Sequence, residues 1–230
     1  MPASVDPVTF PDPVYREAVI DLLAAVGYGE VSAFERLAED ARLAPTLEDK
    51  VALGLFASAQ IGKVEPIRLR LTELGADPFA AMEAFRDGFE SFHTHTAPSD
   101  WWEGLVKAYV GDGLANDFYR EIAAFLDPQT RDLVLTSLED AGHAEFVVER
   151  VRAGIEADPR LAGRLALWGR RLMGEALTEA QRVAADRDAL SALLAGGTDM
   201  PGLDLAAIGR MFTRLTERHV ERMTGLGLEH

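Results

Sequence analysis

Asp140-Ala-Gly-His143-Ala-Glu145 sets a carboxylate and an imidazole three positions apart. On a helix that spacing puts both side chains on one face, about one turn apart. A carboxylate can bridge two hard cations, and an imidazole can complete one coordination shell. The pair is what one helix lends to a carboxylate-bridged metal site. The frame recurs 80 positions earlier as Gln60-Ile-Gly-Lys63-Val-Glu65, with the same Gly and the same Glu. There the acid has become an amide and the imidazole an ammonium. An amide oxygen is a weak neutral donor. A protonated lysine has no lone pair to give, and it carries positive charge to where a metal would sit.

Helices must position these groups. Asp-Pro occurs at Asp12-Pro13, Asp77-Pro78, Asp127-Pro128 and Asp158-Pro159. Each reads as an N-cap followed by proline at the first helical position, where a missing N–H costs nothing. Thr46 and Ser99 read as two further caps. Between these marks run Ala, Leu, Glu and Arg with no alternating strand pattern. The spacing predicts helices over 13–43, 46–75, 78–94, 99–126, 128–157, 159–195 and 203–226. Pro66, one turn after Lys63, predicts a bend in the second of these.

At about 100° per residue, Glu30 falls on the stripe of Val19, Leu22, Val26 and Leu37. Gln60 and Lys63 share the stripe of Leu53, Phe56, Ile67 and Leu71. Asp140 and His143 share that of Leu133, Val147 and Val151. Asp112 is flanked by Leu105, Tyr109 and Tyr119, and Asp117 on the same helix is ambiguous. Short loops make antiparallel neighbours. Positions 30 and 60 mirror about 45, the first loop; positions 112 and 143 mirror about 127.5, the second. Folding the two hairpins therefore brings Glu30, Gln60, Lys63, Asp112, Asp140 and His143 to one level. The halves also repeat, since Glu30 and Asp112 stand 82 positions apart within Gly-acid-x-x-Ala frames. One half-site is complete (Asp112, Asp140, His143). The other keeps only Glu30. The ligand count predicts one iron or none rather than two, with Lys63 taking the place of the first metal and pairing with Glu30.

The chain has 230 residues, is 48% hydrophobic and carries a formal net charge of −15. It can bury a sizeable core. The acidic balance argues against nucleic acid as a partner, because that binding needs a basic footprint. No run of about 18 apolar residues occurs, so no membrane span is expected. The absence of cysteine removes thiolate chemistry and fits a reducing cytoplasm. Residues 1–12 read as an extended tail, 13–195 as the helical bundle, 196–202 as a Gly-rich linker and 203–227 as a last helix packed on the bundle. Residues 228–230 read as the remnant of an expression tag.

Other groups read as structural. His93 and His95, ahead of Ala97-Pro98, read as a solvated turn, and His219 as helix surface. Trp101 and Trp102 read as packing at a helix entry. Arg164, Arg170 and Arg171 with Trp168 form the one notable basic cluster, the first place to look for a phosphate contact. Gly111 and Gly113 flank Asp112 inside a helix and read as permitting close packing.

The segments Tyr28-Gly-Glu-Val-Ser-Ala-Phe-Glu-Arg36, Leu105-Val-Lys-Ala-Tyr-Val-Gly-Asp112 and Asp140-Ala-Gly-His143 resemble the ferritin-like superfamily, and within it the MiaE-like group of tRNA hydroxylases. The resemblance covers residues 13–157 and, by general pattern, the later helices. It implies an all-α fold, an antiparallel four-helix bundle with a crossover helix and extra C-terminal helices. It implies metal ligands at Glu30, Asp112, Asp140 and His143, with Gln60 and Lys63 as degenerate ligand positions. It further implies di-iron and oxygen chemistry, tRNA as substrate and a homodimer. Three readings of function stay open: a bundle with a degenerate site acting as a binding or structural module; a metal-dependent hydroxylase acting on a modified nucleoside or other small substrate; and a metal-free binder that uses the bundle's interior.

Overall fold

Aspartate side chains set where several of the helices begin. In the computed structural model, which describes Phe10 and residues 12–140, 142–195 and 205–228, Asp12 accepts from the Val14 N–H at 2.9 Å. Asp77 accepts from Phe79 and Ala80, and Asp127 from Thr130. Each satisfies an N–H that the first helical turn cannot satisfy itself. Thr46 does the same for Asp49. At the fourth long helix the cap is Asp100 rather than Ser99. Asp100 accepts from the Glu103 N–H, while Ser99 donates to the Glu103 carboxylate from outside the helix.

The elements in order are α1 (Pro13–Asp40), α2 (Leu47–Gly62), α3 (Val64–Glu73), α4 (Pro78–Glu83), α5 (Arg86–His95), α6 (Trp101–Ala123), α7 (Pro128–Ser137), α8 (His143–Ala157), α9 (Arg160–Asp186), α10 (Asp188–Ala195) and α11 (Leu205–Gly225). No strand occurs among the described residues. The bundle has four arms: α1, α2 with α3, α6, and α7 with α8. α1 packs along α2 and α3, and α6 packs along α7 and α8. α4 and α5 cross between the hairpins. α9 and α11 lie against α6, and α10 against α1. The fold is therefore an all-α, ferritin-like antiparallel bundle with a crossover and extra C-terminal helices.

Several helices expected to be continuous are broken. The second arm divides at Lys63, because Pro66 has no N–H for the Gly62 carbonyl and its ring crowds that carbonyl. The fourth arm divides between Ser137 and His143, with Gly142 at φ 91°, a left-handed backbone open to glycine. The segments expected over 78–94 and 159–195 divide beside Phe85 and Arg187. Residues 1–9, Pro11 and the linker at 196–202 lie outside the described residues. So do Glu229 and His230, whereas Leu228 is buried and donates its N–H to the Met223 carbonyl.

Two apolar clusters fill the bundle. One joins α1's Val19, Leu22, Leu23 and Val26 to Ile67, Leu71, Ile122 and Val134. The other joins Leu37 to Leu53, Leu105, Val110, Val147 and Val151, with Trp168 and Met223 from the outer helices. Burying each such side chain contributes about 1.5–3 kcal/mol. The clusters leave a gap on three of the four arms: between Val26 and Leu37, between Ala57 and Ile67, and between Leu138 and Val147. Those gaps hold Glu30, Gln60 with Lys63, and Asp140 with His143. Polar side chains thus sit where the core parts.

Candidate functional site

All six sequence-selected positions face one region, but not as one ligand set. A cavity of about 560 Å³ takes Glu30, Gln60, Lys63 and Asp112 into its wall. A second, of about 210 Å³, is lined by Gln60, Lys63, Asp112, Asp140 and His143. Lys63, Gln60 and Asp112 stand on the partition between them. The break that Pro66 imposes places Lys63 at the junction of α2 and α3, and its Nζ lies 4.0 Å from Glu30 Oε2.

Burial dominates the electrostatics. It pushes the Glu30 carboxyl up to about 8; the Lys63 charge opposes this and the Asp112 charge adds to it. Burial pushes Asp112 up to about 7, with Lys63 opposing and Asp140 adding. One ammonium therefore faces two acids that share roughly one proton near neutrality. That sharing brings the centre close to zero charge, as a buried cluster requires. Burial also holds the His143 imidazole down to about 4, so it is neutral; Asp140 works the other way and Lys63 reinforces the drop. Its Nε2 is buried without a partner, and its ring meets Phe56 edge-on at 5.2 Å.

Asp140 departs from its expected place. It does not share a helix face with His143; it lies in the loop before α8 and is exposed. Its two oxygens accept from the backbone N–H groups of His143 and Ala144, at 3.0 and 3.1 Å. It serves as a cap for a new helix, a position favoured by the helix dipole. Asp117, which the helical stripe left ambiguous, is tied up as well. Its carboxylate meets Arg222 at 2.6 Å and Arg218 at 3.6 Å, both from α11.

These residues fit a bridged metal pair poorly. A dinuclear site needs acids from all four arms and two imidazoles. Here one acid caps a helix, one ligand position is an amide, and the central group is a cation. Among the described residues, no three His, Asp, Glu or Cys side chains converge as a metal site requires.

The large cavity has a second polar station that sequence reasoning missed. Ser32 and His93 share a 2.6 Å hydrogen bond, and both line it with Arg36, Asp40 and Lys107. His93 is not a solvated turn. Burial holds it down to about 3, hence neutral. Asp40, 8% exposed, and Lys107, 5% exposed, are both buried. The signal lay in periodicity: Ser32, Arg36 and Asp40 recur every four positions, but on the edge of the apolar stripe rather than within it. His219 is buried too, not at the helix surface. The basic cluster disperses. Arg164 pairs with Asp100 and Glu103, and Arg171 donates to the His95 carbonyl. Trp101 is buried, and Trp102 packs over Gly154, as their place at a helix entry implied.

The fold agrees with a comparison of the sequence with known families. No curated protein matches the chain. A family model described as a ferritin-like domain of actinomycetes matches residues 13–197, most of the chain. The chain belongs to that ferritin-like family.

Proposed function

We propose that the chain is a ferritin-like bundle whose ancestral metal position is now an ion-paired centre around Lys63, and whose adjoining cavity binds a small, largely apolar molecule without needing iron. The observation that carries this is the Lys63 Nζ placed 4.0 Å from Glu30 and facing Asp112, at the wall of a 560 Å³ chamber. An ammonium there supplies the positive charge that a cation would supply in a carboxylate-bridged site. Chambers of this size, apolar with a few polar groups, suit a small ligand. The finer likeness to tRNA hydroxylases asks for two acid-x-x-His arms. This chain offers Gln60 and Lys63 on one and a helix-capping Asp140 on the other.

Incubation with excess Fe(II) under argon, desalting and elemental analysis test the reading. Fewer than one tightly held iron per chain is expected. Two would overturn the ion-paired centre. Binding of octanol, read by calorimetry, tests the chamber, and heats equal to dilution alone would overturn it.

A further inference from the structure

The basic residues are twenty arginines and three lysines. Arginine makes the ion pairs to Glu65, Glu73, Asp117, Glu121 and Glu179. Where a fixed positive charge suffices, this chain uses guanidinium. Two of the three lysines, Lys63 and Lys107, line the same cavity, and the third, Lys50, is exposed. An amine can do what a guanidinium cannot: it gives up its proton and attacks carbon.

Lys63 has Glu30 within ion-pair reach, and Lys107 has no such partner. It is 5% exposed, and among the described residues no carboxylate oxygen lies within 4.0 Å of its Nζ and no acceptor hydrogen-bonds it. Its Nζ stands 5.7 Å from the Phe92 ring centroid. Asp40 is the charge that bears most on it. That carboxyl is admitted by Gly104, one turn before Lys107, where an added Cβ would lie 3.1 Å from the carboxyl carbon. An amine with open valence, a neighbouring carboxyl and an apolar chamber are thus assembled in one place.

We propose that Lys107 forms a reversible imine with an aldehyde carried on an apolar body inside the large cavity. The amine lone pair attacks the carbonyl carbon, forming C–N, and the carbonyl electron pair moves to oxygen. The nitrogen loses a proton to the Asp40 carboxylate, which passes it to the oxygen, giving a neutral carbinolamine. The remaining N–H proton then goes to Asp40 and on to the hydroxyl, which leaves as water while the nitrogen electron pair forms C=N and Asp40 returns to its starting state. The sum is amine plus aldehyde to imine plus water, with no change of oxidation state. Burial draws the Lys107 ammonium down to about 8, so roughly a tenth is free amine at pH 7. Burial also raises Asp40 to about 6, which lets it trade protons near neutrality. An aldehyde suits the station because its carbonyl carbon accepts the amine lone pair and its hydrogen leaves room for the Lys107 side chain in the cavity wall. Phe92 supplies the apolar surface beside the amine, and Phe85, Phe89 and Leu22 line the rest of the chamber where the apolar body would lie.

The inference rests on the cavity being a ligand chamber, and one experiment separates the two. The whole chain is incubated at pH 7 with octanal and sodium cyanoborohydride, digested, and its amines mapped by mass spectrometry. Lys107 is expected to gain the octyl group at least about tenfold faster than the exposed Lys50. Octanol is expected to slow that labelling by competition. Equal labelling of Lys50 and Lys107, or no adduct at Lys107, overturns the imine. If octanol still binds in that case, the chamber stands and only the imine falls; if it does not, both fall. Lys107→Arg, kept if its circular dichroism matches the parent, is expected to lower the chain's total octyl incorporation at pH 7, and an unchanged total would overturn the imine. Because the map is read on the unaltered chain, the test does not depend on that variant folding.

Discussion

A single ammonium at position 63 lies 4.0 Å from the Glu30 carboxylate and also bears on Asp112. Glu30 and Asp112 both have folded pKa values above their ordinary range near 4, so the folded chain holds protons that the unfolded chain has released. Stability due to these acids is full below about pH 4, falls as pH rises from there, and is lost by about pH 7 to 8. Removing the cation raises both values further. Lys63→Met is therefore expected to cost little at pH 5 and about 1–3 kcal/mol by pH 8, read by urea denaturation at each pH. A pH-independent loss would refute the charge account. His93 has the opposite sign. Its folded value is lowered to about 3, so the unfolded chain takes a proton first, and stability present above about pH 6.5 is lost as pH falls. His93→Asn is expected to flatten the acid limb of the stability curve between about pH 6 and 4. An unchanged limb would contradict the buried, neutral imidazole. The lysine at 63 was legible in the sequence because it stood inside a repeated frame. His93 was not, because its burial comes from the crossover folding back over α1, which no local pattern reports.

Among the elements, the breaks matter more than the runs. The division at Lys63 was legible through Pro66, a residue whose missing N–H acts locally. The division before His143 was not, because Gly142 only permits a left-handed turn, and the helical stripe of Leu133, Val147 and Val151 continues across it. Asp140 changed role for that reason: a new helix start needs an acceptor, and the nearest carboxylate supplied it. Glycines within helices separate propensity from packing. Gly54 in α2 has open space where a Cβ would go. Gly54→Ala is expected to stabilise the chain by about 0.5–1 kcal/mol, the usual helix-propensity gain. Gly154 in α8 has the Trp102 ring 2.5 Å from that place. Gly154→Ala is expected to destabilise the chain by about 1–3 kcal/mol despite the same propensity gain, because overpacking wins. Thermal melts of the two variants should move in opposite directions. Melts moving together would mean that the ring yields freely.

At the scale of the whole molecule, the bundle and the level of its polar layer were legible from the mirrored hairpins, since hairpin geometry turns sequence distance into height. The chamber was not legible: a void is defined by what several helices fail to fill, and α9 and α10, which wall part of it, carry no motif. Global charge bears on partners. With −15 formal charge, and with Arg164 and Arg171 engaged internally, tRNA is expected to show no retained band at physiological salt in a mobility-shift titration. A saturable shift that weakens with salt would reverse that.

The docking of α11 sets an order of assembly. Arg222 reaches from it into the small cavity, lies against Gly113 and meets Asp117. The four arms are all earlier in the chain, so during synthesis they leave the ribosome before this helix does. Until it arrives, one side of the small cavity faces solvent, and Asp117 and Glu121 have no arginine. The small cavity therefore gains its last wall, and Asp117 its arginine partners, only when the final helix docks.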